Sequence, residues 1–352
     1  MIRVLGLALY GPLAASNRVR LGQYVDGLAA AGIDLKVQSL LDNRYVQKRF
    51  QGHKLPLGDM LGMGIDRLRV LLNHGHFDAA ILHCELFPLM PGWLERSLLP
   101  LPYIYDFDDA FYLRYQSGRM ASLKPMLGGK FDSVMAGAAA VTAGNSYLAE
   151  YAQKFNSNVA ILPSVVDTMQ YCPKKKSANE VFTIGWIGSP STAVYLSDLV
   201  APLSQLGAQF PLRFVVVGGK APVIENVQVD ELPWEEHTEI ELINSFDVGV
   251  MPLPDDEWAR GKCAFKLIQY MACGIPVVGS RVGTNIEVVT KECGFLVEGD
   301  IEWAEAINVL RSQAPLRDAM GIASRQRAEK HYSLARNLPL LVETVHAITG
   351  NS

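Results

Sequence analysis

The sequence predicts an α/β protein built as two Rossmann-like, doubly wound parallel-sheet domains, and three observations carry that expectation. Short apolar runs rich in Val and Ile alternate with longer helical patterns, as parallel strands linked by crossover helices do. The runs fall into two groups on either side of a stretch with no apolar period. The chain has 352 residues, 49% of them hydrophobic, and single cores stop growing at roughly 250–300 residues.

The first group comprises IRVLGLAL (2–9), IDLKVQSL (33–40), AAILH (79–83), PYIYDF (102–107), AAVTA (139–143) and NVAIL (158–162). The second comprises FTIGWIG (182–188), LRFVVVGG (212–219), FDVGVMPL (246–253) and IPVVGS (275–280). Between them PSVVDTMQYCPKKKSANE (163–180) has two prolines and three consecutive lysines, the composition of a boundary. Lys174 to Lys176 read as a solvated linker rather than a binding patch. The expected division is a first domain over 1–168, a second domain over 169–330 and a helical segment over 331–352. After Pro315 the composition is helical, with Pro339 permitting a kink or a second helix and the tail able to cross back onto the first domain. Sheets of this kind bind ligand at the carboxyl ends of their strands, so the expected site is a cleft across which the two domains face each other.

Composition excludes several classes. Lys plus Arg number 32 and Asp plus Glu 36, a net charge of −4, which gives no broad basic field for nucleic acid. The five cysteines form no Cys-x-x-Cys pair and read as small apolar residues of a reducing compartment. Ile2 to Leu9 read as a buried strand, not a secretory signal. No apolar stretch reaches the roughly 18–20 residues that span a bilayer. The expectation is a soluble, cytoplasmic protein, with peripheral contact at the inner membrane face left open. Gly-x-Gly-x-x-Gly, a Walker loop, Gly-x-Ser-x-Gly and His-Glu-x-x-His are all absent.

In the second half, MPLPDDEWARGKCAFKLIQYMACGIPVV (251–278) runs from strand through helix to strand. A helix over about Lys262 to Cys273 would put Lys262, Lys266 and Gln269 on one face. A polar stripe on an otherwise apolar helix lines either a phosphate-binding cleft or solvent. In GWIGSPST, Gly188 ends a strand, and Ser189, Ser191 and Thr192 offer hydroxyls and helix-end amides to a diphosphate, or simply cap the next helix. Asn285 and Glu287 in VGTNIEVV follow a strand near Ser280, where they contact sugar or ribose hydroxyls or cap their own loop.

In the first half, Gly11 and Pro12 turn the chain after the first strand, and Ser16 or Asn17 is expected to cap an amphipathic helix through Leu21, Val25 and Leu28. His83 and Glu85 follow one strand and Asp106, Asp108 and Asp109 the next. Three carboxylates within four residues repel unless solvent, arginines or a ligand offset them, which favours a functional cluster over a solvated loop. Asp106-Phe107-Asp108 also fits a metal-binding Asp-x-Asp, a reading that leaves the second strand group unexplained. His74 and His76 have no third ligand nearby and read as a polar turn.

These motifs in order, DFDDA (106–110), LPSVVDT (162–168), IGWIGSPST (184–192), the 251–278 segment and VGTNIEVV, make the chain resemble glycosyltransferase family 4 over nearly its whole length. These are the retaining GT-B enzymes of the group 1 type. The resemblance implies a polysaccharide-type enzyme that moves a sugar from a nucleotide-diphosphate sugar to a glycan, a lipid-linked glycan or a small hydroxyl acceptor. It implies no metal or other cofactor, because helix dipoles and cations stabilise the leaving diphosphate. The loop at Gly11 and Pro12 would then lie below the diphosphate and beside the acceptor. That makes Ser16, Arg18 and His83 acceptor candidates, with an exposed helix-start arginine the plainer reading of Arg18. Glu85 and Asp108 stand where relatives place a histidine, and a carboxylate there can bind hydroxyls or take a proton.

The sequence departs from the family in two ways. The family's two donor-site glutamates correspond to Gly261 and Gln269, and its Arg and Lys pair after the first strand of the second half is missing from GSPSTAVYL. Two other readings therefore stand beside transfer: a nucleotide-sugar epimerase or hydrolase, and a catalytically silent nucleotide-sugar-binding protein.

Overall fold

The computed structural model describes residues 1–50, 52, 53, 55–174 and 181–350. Lys175 and Lys176 of the lysine run lie outside the described residues. The chain forms two compact units, one of Met1–Ser164 with Gly261–Cys263 and Asn337–Ser352, the other of Val165–Arg260 with Ala264–Arg336.

The first unit is a six-stranded parallel sheet of β1 (Ile2–Tyr10), β2 (Ile33–Leu41), β3 (Ala79–His83), β4 (Tyr103–Phe107), β5 (Ala140–Ala143) and β6 (Val159–Ile161). Its order is β2-β1-β3-β4-β5-β6, so the winding reverses between β1 and β3. The second unit contains β7 (Phe182–Ile187), β8 (Leu212–Val217), β9 (Gln228–Leu232), β10 (Val248–Met251), β11 (Val277–Ser280) and β12 (Gly294–Val297). Its order, β12-β11-β10-β7-β8-β9, reverses between β7 and β10. A crevice opens at such a reversal because the flanking crossovers leave on opposite faces.

The central strands of the second unit are apolar on both faces because both are covered. Along β8, Phe214 and Val216 join one buried cluster, with Trp186 and Val250, while Val215 and Val217 join the other, with Phe246 and Tyr270. Two strands escaped the sequence reading, β9 and β12, and both are sheet edges. An edge is covered less completely, so QVDEL carries no continuous apolar run and GFLV is only four residues long.

The C-terminal helices also differ from expectation. The break falls at Tyr332–Ser333, and Pro339 lies inside the helix Leu334–Thr349. The chain stops being helical there because Val166 donates to Tyr332 O (3.0 Å) and accepts from Leu334 N (2.9 Å). The segment from Asn337 belongs to the first unit, where Leu338 fills the space that Gly27 leaves by having no side chain. Among the described residues no helix is long and apolar enough to cross a membrane.

Candidate functional site

The second unit holds a cradle at its switch point. Gly188 follows β7, and an added Cβ there would lie 2.5 Å from the buried Trp186 ring and 2.8 Å from Lys266 Cε. The ammonium of Lys266 sits 5.5 Å from the centre of that indole ring. Gly218 takes φ +76 and approaches the Gly188 carbonyl, and a Cβ on Gly219 would meet Trp186 at 2.8 Å. Only residues without side chains leave this floor open under a lysine. Lys266 is the second residue of the helix Phe265–Ala272, whose N-cap makes no side-chain bond, and it therefore stands at the helix end that favours an anion.

That helix corrects the predicted stripe. Ala264 adopts a left-handed φ of +53 and cannot continue a right-handed helix, so the helix starts at Phe265 and Lys262 lies outside it. Alanine is the strongest helix former, which is why composition extended the helix through it. Ser189, Ser191 and Thr192 form a compact turn: Thr192 Oγ1 donates to Ser189 O at 3.1 Å, and the Ser189 and Ser191 hydroxyls share a hydrogen bond of 2.9 Å. The helix beyond, Ala193–Leu199, is a 3-10 helix without a side-chain cap, so capping does not account for these hydroxyls.

Gln269 is buried and donates to Glu239 Oε1 at 2.5 Å. The same carboxylate accepts from Tyr171 and from the Trp234 indole N–H. Trp234 borders the cradle, since a Cβ on Gly218 would lie 2.8 Å from its own. Glu239 thus sets a carboxylate directly beside Gln269. Asn285 is buried and donates to Ser280 O at 3.0 Å, while its Oδ1 and the neighbouring Thr284 hydroxyl have no hydrogen-bond partner among the described residues. Glu287 is exposed, so the structure separates it from Asn285 in environment.

The first unit holds a row of polar side chains across its sheet. Register sets His83 beside Asp106 and Asp106 beside Thr142 on β3, β4 and β5. His83 Nδ1 lies 2.9 Å from Asp106, and Thr142 Oγ1 donates to it at 2.6 Å. Arg20, fully buried, donates to both Asp106 oxygens at 3.0 and 2.5 Å and to Leu162 O at 2.7 Å. Burial would raise the Asp106 carboxyl, but the Arg20 charge and the bonds from Arg20 and His83 hold it well below the usual carboxylate range. Burial opposes a charged His83; the adjacent Cys84, the bond to Asp106 and the charge of Asp108 outweigh it and raise the imidazole well above its ordinary value. With Nδ1 turned to Asp106, His83 Nε2 points away from it, buried without a hydrogen-bond partner among the described residues and 3.8 Å from Asp108 Oδ1.

Asp108 and Asp109 are partly exposed. Lys262 pairs with Asp109 at 3.3 Å, and Cys263 Sγ donates to Asp108 O at 3.1 Å. Burial raises the Asp109 carboxyl; Lys262 pulls the other way and the charge of Asp108 adds to the rise. Asn145 fastens this segment by donating to Gly261 O (3.1 Å) and Lys262 O (3.2 Å) while its oxygen caps the helix Ser146–Ala152. Gly261 is itself tightly seated, because a Cβ there would lie 2.7 Å from Ala110 Cβ and 2.9 Å from Ala110 N.

Two of the four strand-end carboxylates expected to be functional, Asp106 and Glu85, are closed to any ligand. Asp106 has its oxygens filled as described. Glu85 is fully buried and accepts from Arg114, Tyr115 and Lys130, whose ammonium is 2.6 Å away. Cys84, at a left-handed φ of +67, turns the chain so that Glu85 points back into the core. The capping role of Ser16 and Asn17 is also corrected: both lie inside the helix Ala15–Arg20, whose first turn has no side-chain cap. Asn17 instead donates to Tyr10 O (2.6 Å) and Ser39 Oγ (3.1 Å). Arg18 braces the turn, donating to the carbonyls of Pro12 (3.2 Å) and Leu13 (3.1 Å), and Gly11 packs against the backbone at Asn43. Pro12 is exposed and Ser16 half-buried. His74 and His76 form a 3-10 turn.

The sequence reading missed Arg20 and Glu239. A signal for Arg20 existed: residues 17, 20, 24 and 28 stand at helical spacing, and all four are buried although they fall on three successive short helices.

Two parallel Rossmann-like sheets in one chain make the GT-B fold, and solved structures agree. The chain matches sucrose-phosphate synthase from Thermosynechococcus elongatus with 13% identity, a TM-score of 0.75 and 100% of each chain covered. It matches HepE of Anabaena in complex with UDP and glucose at 14% identity and TM-score 0.69, covering 98% of this chain and 99% of that one. WaaG, a glycosyltransferase involved in lipopolysaccharide biosynthesis, matches at 15% identity and TM-score 0.66, covering 97% and 99%. Residues 180–313 match the family model described as glycosyl transferases group 1. No curated protein sequence matches the chain.

Proposed function

We propose that this chain is a retaining, metal-independent glycosyltransferase of family 4. In this reading the second unit binds a nucleotide-diphosphate sugar and the first binds a glycan, lipid-linked glycan or small hydroxyl acceptor in cytoplasmic polysaccharide synthesis. The observation that carries it is the glycine-floored cradle beneath Lys266 at the β7–β10 switch point, inside the segment that matches the family. A lysine at a helix N-terminus above a side-chain-free floor suits a diphosphate whose charge grows as the sugar leaves. Ser189, Ser191, Thr192, Gln269 and Asn285 would line the donor, and Asp108, Asp109, Lys262 and His83 would meet the acceptor.

Nucleotide sugars are expected to raise the melting temperature, and transfer is expected to persist in excess EDTA; activity restored only by added divalent ions would refute the metal-independent mechanism. Gly188→Val should abolish the nucleotide-sugar shift, because the new side chain displaces Lys266 and collides with Trp186. An undiminished shift would remove the cradle from the donor site. Binding without transfer across a broad acceptor panel would favour a silent binding protein, the reading that the change to Gly261 and Gln269 keeps open.

A further inference from the structure

His83 pairs in register with Asp106 across β3 and β4, and Asp108 lies two residues further along, on the same side by the alternation of a strand. The imidazole of His83 therefore has a carboxylate at each nitrogen, Asp106 at 2.9 Å from Nδ1 and Asp108 at 3.8 Å from Nε2. With Arg20 bonded to Asp106, the side chains alternate in sign from the core outward. Side-chain exposure is 0% at Arg20, 2% at Asp106, 1% at His83 and 17% at Asp108. The row thus surfaces at Asp108, just past the carboxyl end of β4, the side of such a sheet that takes ligand. Among the described residues the ion-pair partner of Asp108 is His83, whereas the neighbouring Asp109 is held by Lys262.

We propose that His83 is a positioning residue, which with protons on both ring nitrogens holds Asp108 where its carboxylate accepts the hydrogen bond of an acceptor hydroxyl. This role rests on the transfer reading, and His83 acts through Asp108 because its own ring is buried. The proton count follows from the partners. Asp106 accepts from Arg20 at both oxygens and from Thr142, so it stands as a carboxylate and Nδ1 donates to it. A neutral ring would then turn the Nε2 lone pair towards Asp108 and repel it, whereas a proton at Nε2 attracts it. The other titratable groups about the ring are Cys84 on its own strand end, Arg20 bonded to Asp106, and the Asp109–Lys262 pair next to Asp108. The neutral ring of Phe111 stands T-shaped against it at 6.3 Å. Burial opposes the charged ring, but Cys84, the bond to Asp106 and the charge of Asp108 raise it well above the ordinary histidine value, so the second proton is lost only on the alkaline side.

NMR of the full chain with isotope-labelled histidine tests the contact without any ligand, the His83 signal being the one lost in His83→Asn. The ring is expected to titrate above the ordinary histidine value, and Asp108→Asn should lower that titration. Kinetics with alkyl glycosides as hydroxyl acceptors test the role. Wild-type kcat/KM for the glycoside should fall as pH rises through the His83 titration. His83→Asn keeps a donor for Asp106 but falls short of Asp108. It should lower that kcat/KM at least about tenfold, within the cost of a misplaced group, and leave the nucleotide-sugar melting shift unchanged. His83→Gln reaches towards Asp108 with an N–H that does not titrate, so it should recover part of the loss and flatten the alkaline fall. A merely structural role would instead rank the variants by melting temperature. A His83 titration indifferent to Asp108→Asn, or His83→Asn as active as wild type, overturns the proposal. If wild type shows neither a nucleotide-sugar shift nor transfer to any glycoside, it is the transfer reading that fails, and the titration still decides whether His83 holds Asp108.

Discussion

Arg20→Met is expected to cost about 3–5 kcal/mol of folding stability, the usual penalty for removing one partner of a buried ion pair. The cost arises less from the lost attraction than from what remains. Asp106 is fully buried, and without the guanidinium its charge would rest on His83 and Thr142 alone. Asp106→Asn should cost a comparable amount, because it leaves the Arg20 charge buried with no counter-charge beside it. The same pair sets an acid limit. A carboxyl whose folded-state pKa is depressed contributes stability that is fully present above its unfolded value, near pH 4, and lost as pH falls through the folded value. Wild type should therefore lose stability below about pH 4, and Asp106→Asn should flatten that part of the profile. Calorimetry of both variants across pH checks this, and a loss under about 1 kcal/mol for Arg20→Met, the scale of an exposed pair, would show that the pair is not a buried one in solution.

Lys266→Ala is expected to lower kcat/KM for the nucleotide sugar roughly ten- to 150-fold, equivalent to the 1.5–3 kcal/mol of a charge-assisted hydrogen bond. The lysine lies on a floor of Gly188 and Trp186. If the ammonium stabilises the departing diphosphate more than the bound donor, kcat falls further than KM rises. Lys266→Arg should recover only part of the activity, since a planar fork does not fit the space of a point charge over an indole. Kinetics equal to wild type would place the diphosphate elsewhere.

The central strands and the strand-end placement of Gly188, His83 and Asp106 were legible because period and turn chemistry are local properties. The edge strands β9 and β12 were not, since incomplete cover weakens the pattern that reveals a strand. In the candidate site, the lysine and the acidic cluster could be read as residue types, but their partners could not. Nothing local tells that Glu85 meets Lys130, 45 residues away, or that Gln269 turns to Glu239. Ala264 hid the true helix start because its left-handed backbone contradicts its own propensity.

The seat of Gly261 against Ala110 limits what that position can hold. A carboxylate cannot be installed there by one substitution, because its first carbon would lie 2.9 Å from a main-chain nitrogen. An engineer seeking an acid at this point would have to rebuild the neighbouring loop first and add the charge second.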